Sequence, residues 1–137
     1  MDGIPVAFHS YLPFVGKLRS RQKAMRGHRS VCLPDFQGVG IGNAMITFLA
    51  GMWKGLGYRV FRNTGHPAEI AAASRSNDWT MIRRPSLTSR DSGRLKASMK
   101  RSRAATRLTS SFEFIGDAMD YAEATILLNK SWARVAA

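Results

Sequence analysis

The stretch from Ser30 to Leu49, SVCLPDFQGVGIGNAMITFL, limits the fold more than any other part of the chain. A short apolar run meets Pro34, three alternating glycines follow at Gly38, Gly40 and Gly42, and a strongly helical segment takes over. Proline does not continue a strand ladder, and glycine admits the left-handed backbone of a tight turn. From Ile41 the apolar positions Ile41, Met45, Phe48, Leu49, Met52 and Leu56 recur at the spacing of one buried helical stripe, with Asn43, Thr47 and Lys54 on other faces. Gly55 and Gly57 supply a stop for that helix, and YRVFRN, Tyr58 to Asn63, reads as a short strand. Strand, glycine turn, helix and strand in succession predict a parallel βαβ unit.

The flanking sequence extends this unit to a mixed sheet. Residues 4–15 read as a strand with a turn near Pro13, Lys17 to Arg29 as the exposed, basic connection of a hairpin, and Gly27 to Leu33 as its second strand. Pro67 suits the first position of a helix and Glu69 the negative charge favoured there, so a shorter helix is expected from Pro67 to Ser74. Residues 83–107 hold nine Arg or Lys and one acid and read as a basic loop or arm. Leu108, Phe112 and Phe114 then alternate as in a strand, and Ala118 to Leu128 predicts a closing helix; the last nine residues carry no pattern. The expected fold is α/β (α+β), a mixed central sheet flanked by helices. Residues 1–82 form its main part, 83–107 the arm, and 108–137 the strand and helix that complete the same domain.

Size and charge narrow the partners. A chain of 137 residues with 45% apolar side chains fills one modest core. Its net charge of +12 favours an anionic partner, whether a nucleotide cofactor, a nucleic acid or an acidic surface. The one cysteine, Cys32, rules out an internal disulfide, and with no second cysteine or histidine at ligand spacing no metal site is expected. The opening residues MDGIPVAFHS lack the pattern of a leader, and no apolar run approaches the length of a bilayer span. A soluble cytoplasmic protein with no membrane partner is the expectation.

The glycine turn fails two familiar phosphate-binding patterns. In G-x-G-x-x-G counted from Gly38, the third glycine falls on Asn43, and no Gly-Lys followed by Ser or Thr completes a P-loop. What stands is Gln37-x-x-Gly40-x-Gly42 between a strand and a helix. Glycines allow close backbone approach, and the free N–H groups and dipole of the following helix favour a diphosphate. LPDFQGVGIG here resembles the acetyl-coenzyme A signature of the Gcn5-related N-acetyltransferases, Gln or Arg-x-x-Gly-x-Gly or Ala at a strand-to-helix turn. The resemblance implies that Gln37, Gly38, Val39, Gly40, Ile41, Gly42 and Asn43 hold the pyrophosphate. It also implies that Cys32 and Leu33 offer backbone groups to the acyl end. TGHP, Thr64 to Pro67, with Trp79 beyond it and RLTSSFEFIG near the end, is similar to a subgroup that reads Thr-Ser-His-Pro at the corresponding place.

Against that family pattern the chain begins at what looks like the third strand, so a domain shortened at its amino end, lacking helices that line the acceptor site, is expected. Many members place a tyrosine on the helix after the fifth strand to protonate the departing thiolate; EIAAASRS offers Ala73 and Ser74 there. The implied activity is transfer of an acetyl group from acetyl-coenzyme A to an amine acceptor by direct attack, with acid and base unassigned.

Several residues also have plainer roles. His66 before Pro67 suits a helix cap or a packed histidine as well as a base. His9 and His28 read as strand or surface residues, Cys32 as a small buried hydrophobe, and Trp53 and Trp79 as packing. The basic tract at 83–107 suits nucleic-acid phosphates, the 3′-phosphate of coenzyme A or an acidic protein, but lacks interleaved aromatics for base stacking. The rival to an enzyme is therefore a non-enzymatic basic protein that binds nucleic acid or protein and retains a fragment of the acetyltransferase fold. An uncovered strand edge would also suit a homodimer.

Overall fold

The computed structural model describes residues 5–14, 22–87 and 108–133. Five strands form one mixed sheet: β1 (Ala7–Pro13), β2 (Ala24–Cys32), β3 (Arg59–Thr64), β4 (Trp79–Leu87) and β5 (Leu108–Phe114), in the order β1-β2-β3-β5-β4. The helices are α1 (Ile41–Gly55), α2 (Pro67–Arg75) and α3 (Tyr121–Ala133). β1 and β2 form the expected hairpin, and β2 and β3 run parallel on either side of α1, as the βαβ pattern requires. β5 pairs antiparallel with both β3 and β4. Among the described residues no helix is long and apolar enough to cross a membrane.

Strand periodicity places Val60, Arg62 and Thr64 on one face of β3, beside Phe112 and Phe114 of β5. Ile46 and Ala50 of α1, Ala73 of α2 and Trp79 of β4 close over this face to make the core. Trp79 and Phe114 meet edge to face at 5.1 Å, and the Trp79 indole donates to Thr47 Oγ1 at 3.2 Å. On the opposite face Arg59 pairs with Glu113 at 2.7 Å and lies over the Phe61 ring.

Three expectations are corrected. The buried stripe of α1 is Ile46, Ala50, Gly51 and Met52, whereas Phe48 is 52% exposed. The helix is apolar nearly all round, so its periodicity does not single out a face; the small residues do, because they admit the neighbouring backbone. No pattern in the sequence marks strand β4, and its far end takes Arg83 to Leu87 out of the basic arm through pairing with β5. The rest of the expected arm, residues 88–107, lies outside the described residues. The closing helix begins at Tyr121 rather than Ala118, because the Asp120 carboxylate accepts from the N–H groups of Ala122 and Glu123 as a helix cap.

Candidate functional site

The parallel pairing of β2 with β3 covers only Ala24–Arg26 against Arg59–Phe61. β2 continues to Cys32 and β3 to Thr64, so beyond Arg26 the two strands part and leave a gap inside the sheet. A bulge opposite Ser10 and Tyr11 adds His28 to β2 and bends it at the same place. The gap opens toward the glycine turn and the amino end of α1.

Strand alternation settles which backbone groups face it. Leu33 donates its N–H to the Val6 carbonyl at 2.9 Å, so Leu33 points toward β1, and Cys32 and Ser30 point away from β1 into the gap. The Cys32 carbonyl accepts from Gln37 Nε2 at 2.8 Å. This leaves the Cys32 N–H aimed at the gap, while the expected contribution of Leu33 is already committed to β1.

The turn itself is open. Gly38 and Gly40 have φ of 82° and 90°, a backbone that side chains disfavour. A Cβ added at Gly38, Gly40 or Gly42 would meet nothing within 4 Å. Gly40 precedes α1, so the first N–H groups of that helix face this space without intrahelical acceptors. An open cradle beside unused donors fits a diphosphate.

A groove of about 430 Å³ runs from the turn into the gap. Of the expected residues, Cys32, Gln37, Gly38, Gly40, Ile41, Gly42 and Asn43 line it. Leu33 and Val39 do not, and Val39 is 71% exposed at the apex of the turn. The Gln37 amide also braces the turn against β2, donating to the Cys32 carbonyl. The far wall, Ala68, Glu69 and Ala72 of α2, has no sequence signal of its own: α2 reaches the groove only through the sheet order. Ala73 is buried and Ser74 exposed, and neither lines the groove.

A second cavity of about 320 Å³ adjoins the first, sharing Ser30, Ile46, His66 and Glu69 as walls. His9 and Arg62 also line it. His9 Nδ1 lies 2.5 Å from Ser30 Oγ, and burial, reinforced by the nearby Arg62 charge, lowers its pKa to about 4 against the opposing pull of Glu69. The imidazole is therefore neutral at pH 7. Tyr11, which donates to the Ile46 carbonyl at 3.2 Å, has its hydroxyl pKa raised by the same burial. His66 sits at the cap position of α2 without capping it through its side chain, and stays exposed. Cys32 Sγ turns to the Phe36 carbonyl at 3.3 Å. Among the described residues no three His, Cys, Asp or Glu side chains gather as metal ligands would.

No family model, curated protein or solved structure matches the chain.

Proposed function

We propose that the chain is an acetyl-coenzyme A-dependent N-acetyltransferase of the Gcn5-related kind. The observation that carries this reading is the gap between β2 and β3, which opens at an uncluttered glycine turn on the amino end of α1. The residues present fit the co-substrate: the backbone of Gly38–Asn43 would hold its pyrophosphate, and the free edge of β2 its pantetheine arm.

Bound there, the co-substrate supplies an activated acetyl thioester, whose carbonyl carbon an amine attacks as the C–S bond breaks and the thiolate departs. The chain contributes position and polarity to this step. The Cys32 N–H, which faces the gap, would donate to the thioester oxygen and stabilise the charge that develops there. His66 and Glu69, the titratable side chains common to both cavities, are the groups to take the amine's proton, directly or through water. The smaller cavity would receive the acceptor.

Calorimetric titration of the purified chain with acetyl-coenzyme A tests the reading, together with the Gly42→Trp variant. Gly42 has ordinary helical φ and open space before it, so the indole fills the cradle without straining the fold. Saturable binding to the intact chain that is lost in the variant is expected. A folded chain that binds no acetyl-coenzyme A would sink the proposal and turn attention to the basic arm.

A further inference from the structure

We propose that the smaller cavity is an anion-recognition subsite built on Arg62, and that the acceptor carries a carboxylate or phosphate besides its amine. The identification of the occupant as the acceptor rests on the acetyltransferase reading; the anion site itself does not.

Arg62 is only 4% exposed, yet it lines the cavity. Its guanidinium donates to two neutral oxygens, Asn43 Oδ1 at 3.3 Å and the Glu69 carbonyl at 3.0 Å. It lies over the Trp79 and Phe112 rings at 5.0 Å and 5.8 Å, contacts that use its flat face and leave in-plane N–H groups unused. Among the described residues no carboxylate forms a contact ion pair with it, and the Glu69 charge acts on it only from a distance, whereas Arg59 on the opposite face of the same strand has Glu113. Burial outweighs that distant charge, and an interior cation so incompletely balanced is costly. An anion entering the cavity would relieve that cost, and the planar fork of arginine suits two oxygens held side by side.

The surroundings support the same occupant. The cavity includes Thr64, Gly65 and His66, where the chain leaves β3 and enters α2, so the amino end of that nine-residue helix adds positive potential. His9 Nε2 is buried without a hydrogen-bond partner beside Gly27, in the same wall. Glu69 stands where the two cavities meet. A molecule with its anionic group on Arg62 would thus direct an amine past a carboxylate toward the thioester. The small volume favours a compact molecule over a folded protein surface.

Trp79 provides the probe, because its ring lies directly against Arg62. The isotope-labelled full chain is titrated with sodium acetate and, separately, with inorganic phosphate, while the Trp79 indole N–H resonance and the amides of Asn63–His66 are followed. A saturable shift with at least one anion is expected, persisting in Gly42→Trp and weakened at least about tenfold in Arg62→Met. Response to acetate alone assigns a carboxylate, and to phosphate alone a phosphate. Absence of saturation, equal binding by a folded Arg62→Met, or loss in Gly42→Trp would overturn the proposal, the last because the anion would then sit on the glycine turn. If Arg62→Met does not fold, the amides perturbed in the intact chain decide: shifts centred on Asn63–His66 uphold the site and shifts centred elsewhere reject it. Failure of acetyl-coenzyme A to bind leaves these outcomes unchanged, so the two readings fail separately.

Discussion

At the scale of single residues, β3 places two basic side chains in unlike settings on opposite faces of one sheet. Arg59 lies partly in solvent against Glu113, which raises its pKa through hydrogen bonding, whereas burial lowers that of Arg62. His9 shares the second setting, and its effect on stability has a definite sign. Its pKa falls from 6.5 to about 4 on folding, so between these values the unfolded chain binds more protons than the native one. The stabilisation is complete above about pH 6.5 and fades as pH falls toward 4. Screening of a half-buried ring reduces it to roughly 1–2 kcal/mol. We expect the melting temperature to drop between about pH 7 and pH 5, and to drop less in His9→Gln, which does not titrate in this range. Parallel pH profiles for the two proteins would show that His9 is not held neutral by burial and Arg62.

At the scale of elements, α1 shows what its sequence could and could not convey. Its end was legible: Gly57, with φ of 84°, lets Gly57 and Tyr58 donate back to the carbonyls of Lys54 and Trp53, closing the helix. Its start was legible too, because the positive φ that Gly38 and Gly40 adopt is a backbone that glycine takes without steric cost. The buried face was not, since Ala50 and Gly51 carry little hydrophobicity and owe their burial to backbone approaching from elsewhere. Thr47, Asn43 and Lys54, which periodicity places on faces other than the apolar stripe, all bind distant groups: the Trp79 indole, Arg62, and the carbonyls of Ile115 and Gly116. The glycine turn therefore follows from local rules, while Arg62 and the α2 wall required the sheet order. Two glycines of the helix separate these influences. A Cβ at Gly55 collides with the Met119 backbone, whereas one at Gly42 meets open space. In urea unfolding, Gly55→Ala is expected to cost about 1–3 kcal/mol despite alanine's better helix propensity. Gly42→Ala should gain a few tenths to about 1 kcal/mol. Equal effects at the two sites would mean that propensity alone governs them and that the 115–120 segment does not rest on α1.

At the scale of the whole molecule, the parted strands and the net charge of +12 act together. The sheet order puts the gap between the β1-β2 hairpin and the β3-β5-β4 strands, so a ligand placed there would join the two halves through backbone that neither can satisfy alone. Over a longer range, a strongly basic chain would draw in the proposed anionic co-substrate from any direction, and this part of the attraction would be screened by salt. Contacts from the N–H groups of the turn act at short range and resist screening. Acetyl-coenzyme A affinity should therefore weaken only about threefold to tenfold between about 0.05 M and about 0.5 M sodium chloride, leaving a salt-insensitive remainder. Replacing the seven Arg and Lys of residues 88–107 by Gln should flatten the salt dependence and leave the high-salt affinity unchanged. If that replacement abolishes binding at every salt concentration, the basic tract rather than the turn holds the co-substrate. Steeply salt-dependent binding to duplex DNA or RNA, with no affinity for acetyl-coenzyme A at any concentration of salt, would instead make the molecule a polyanion-binding protein.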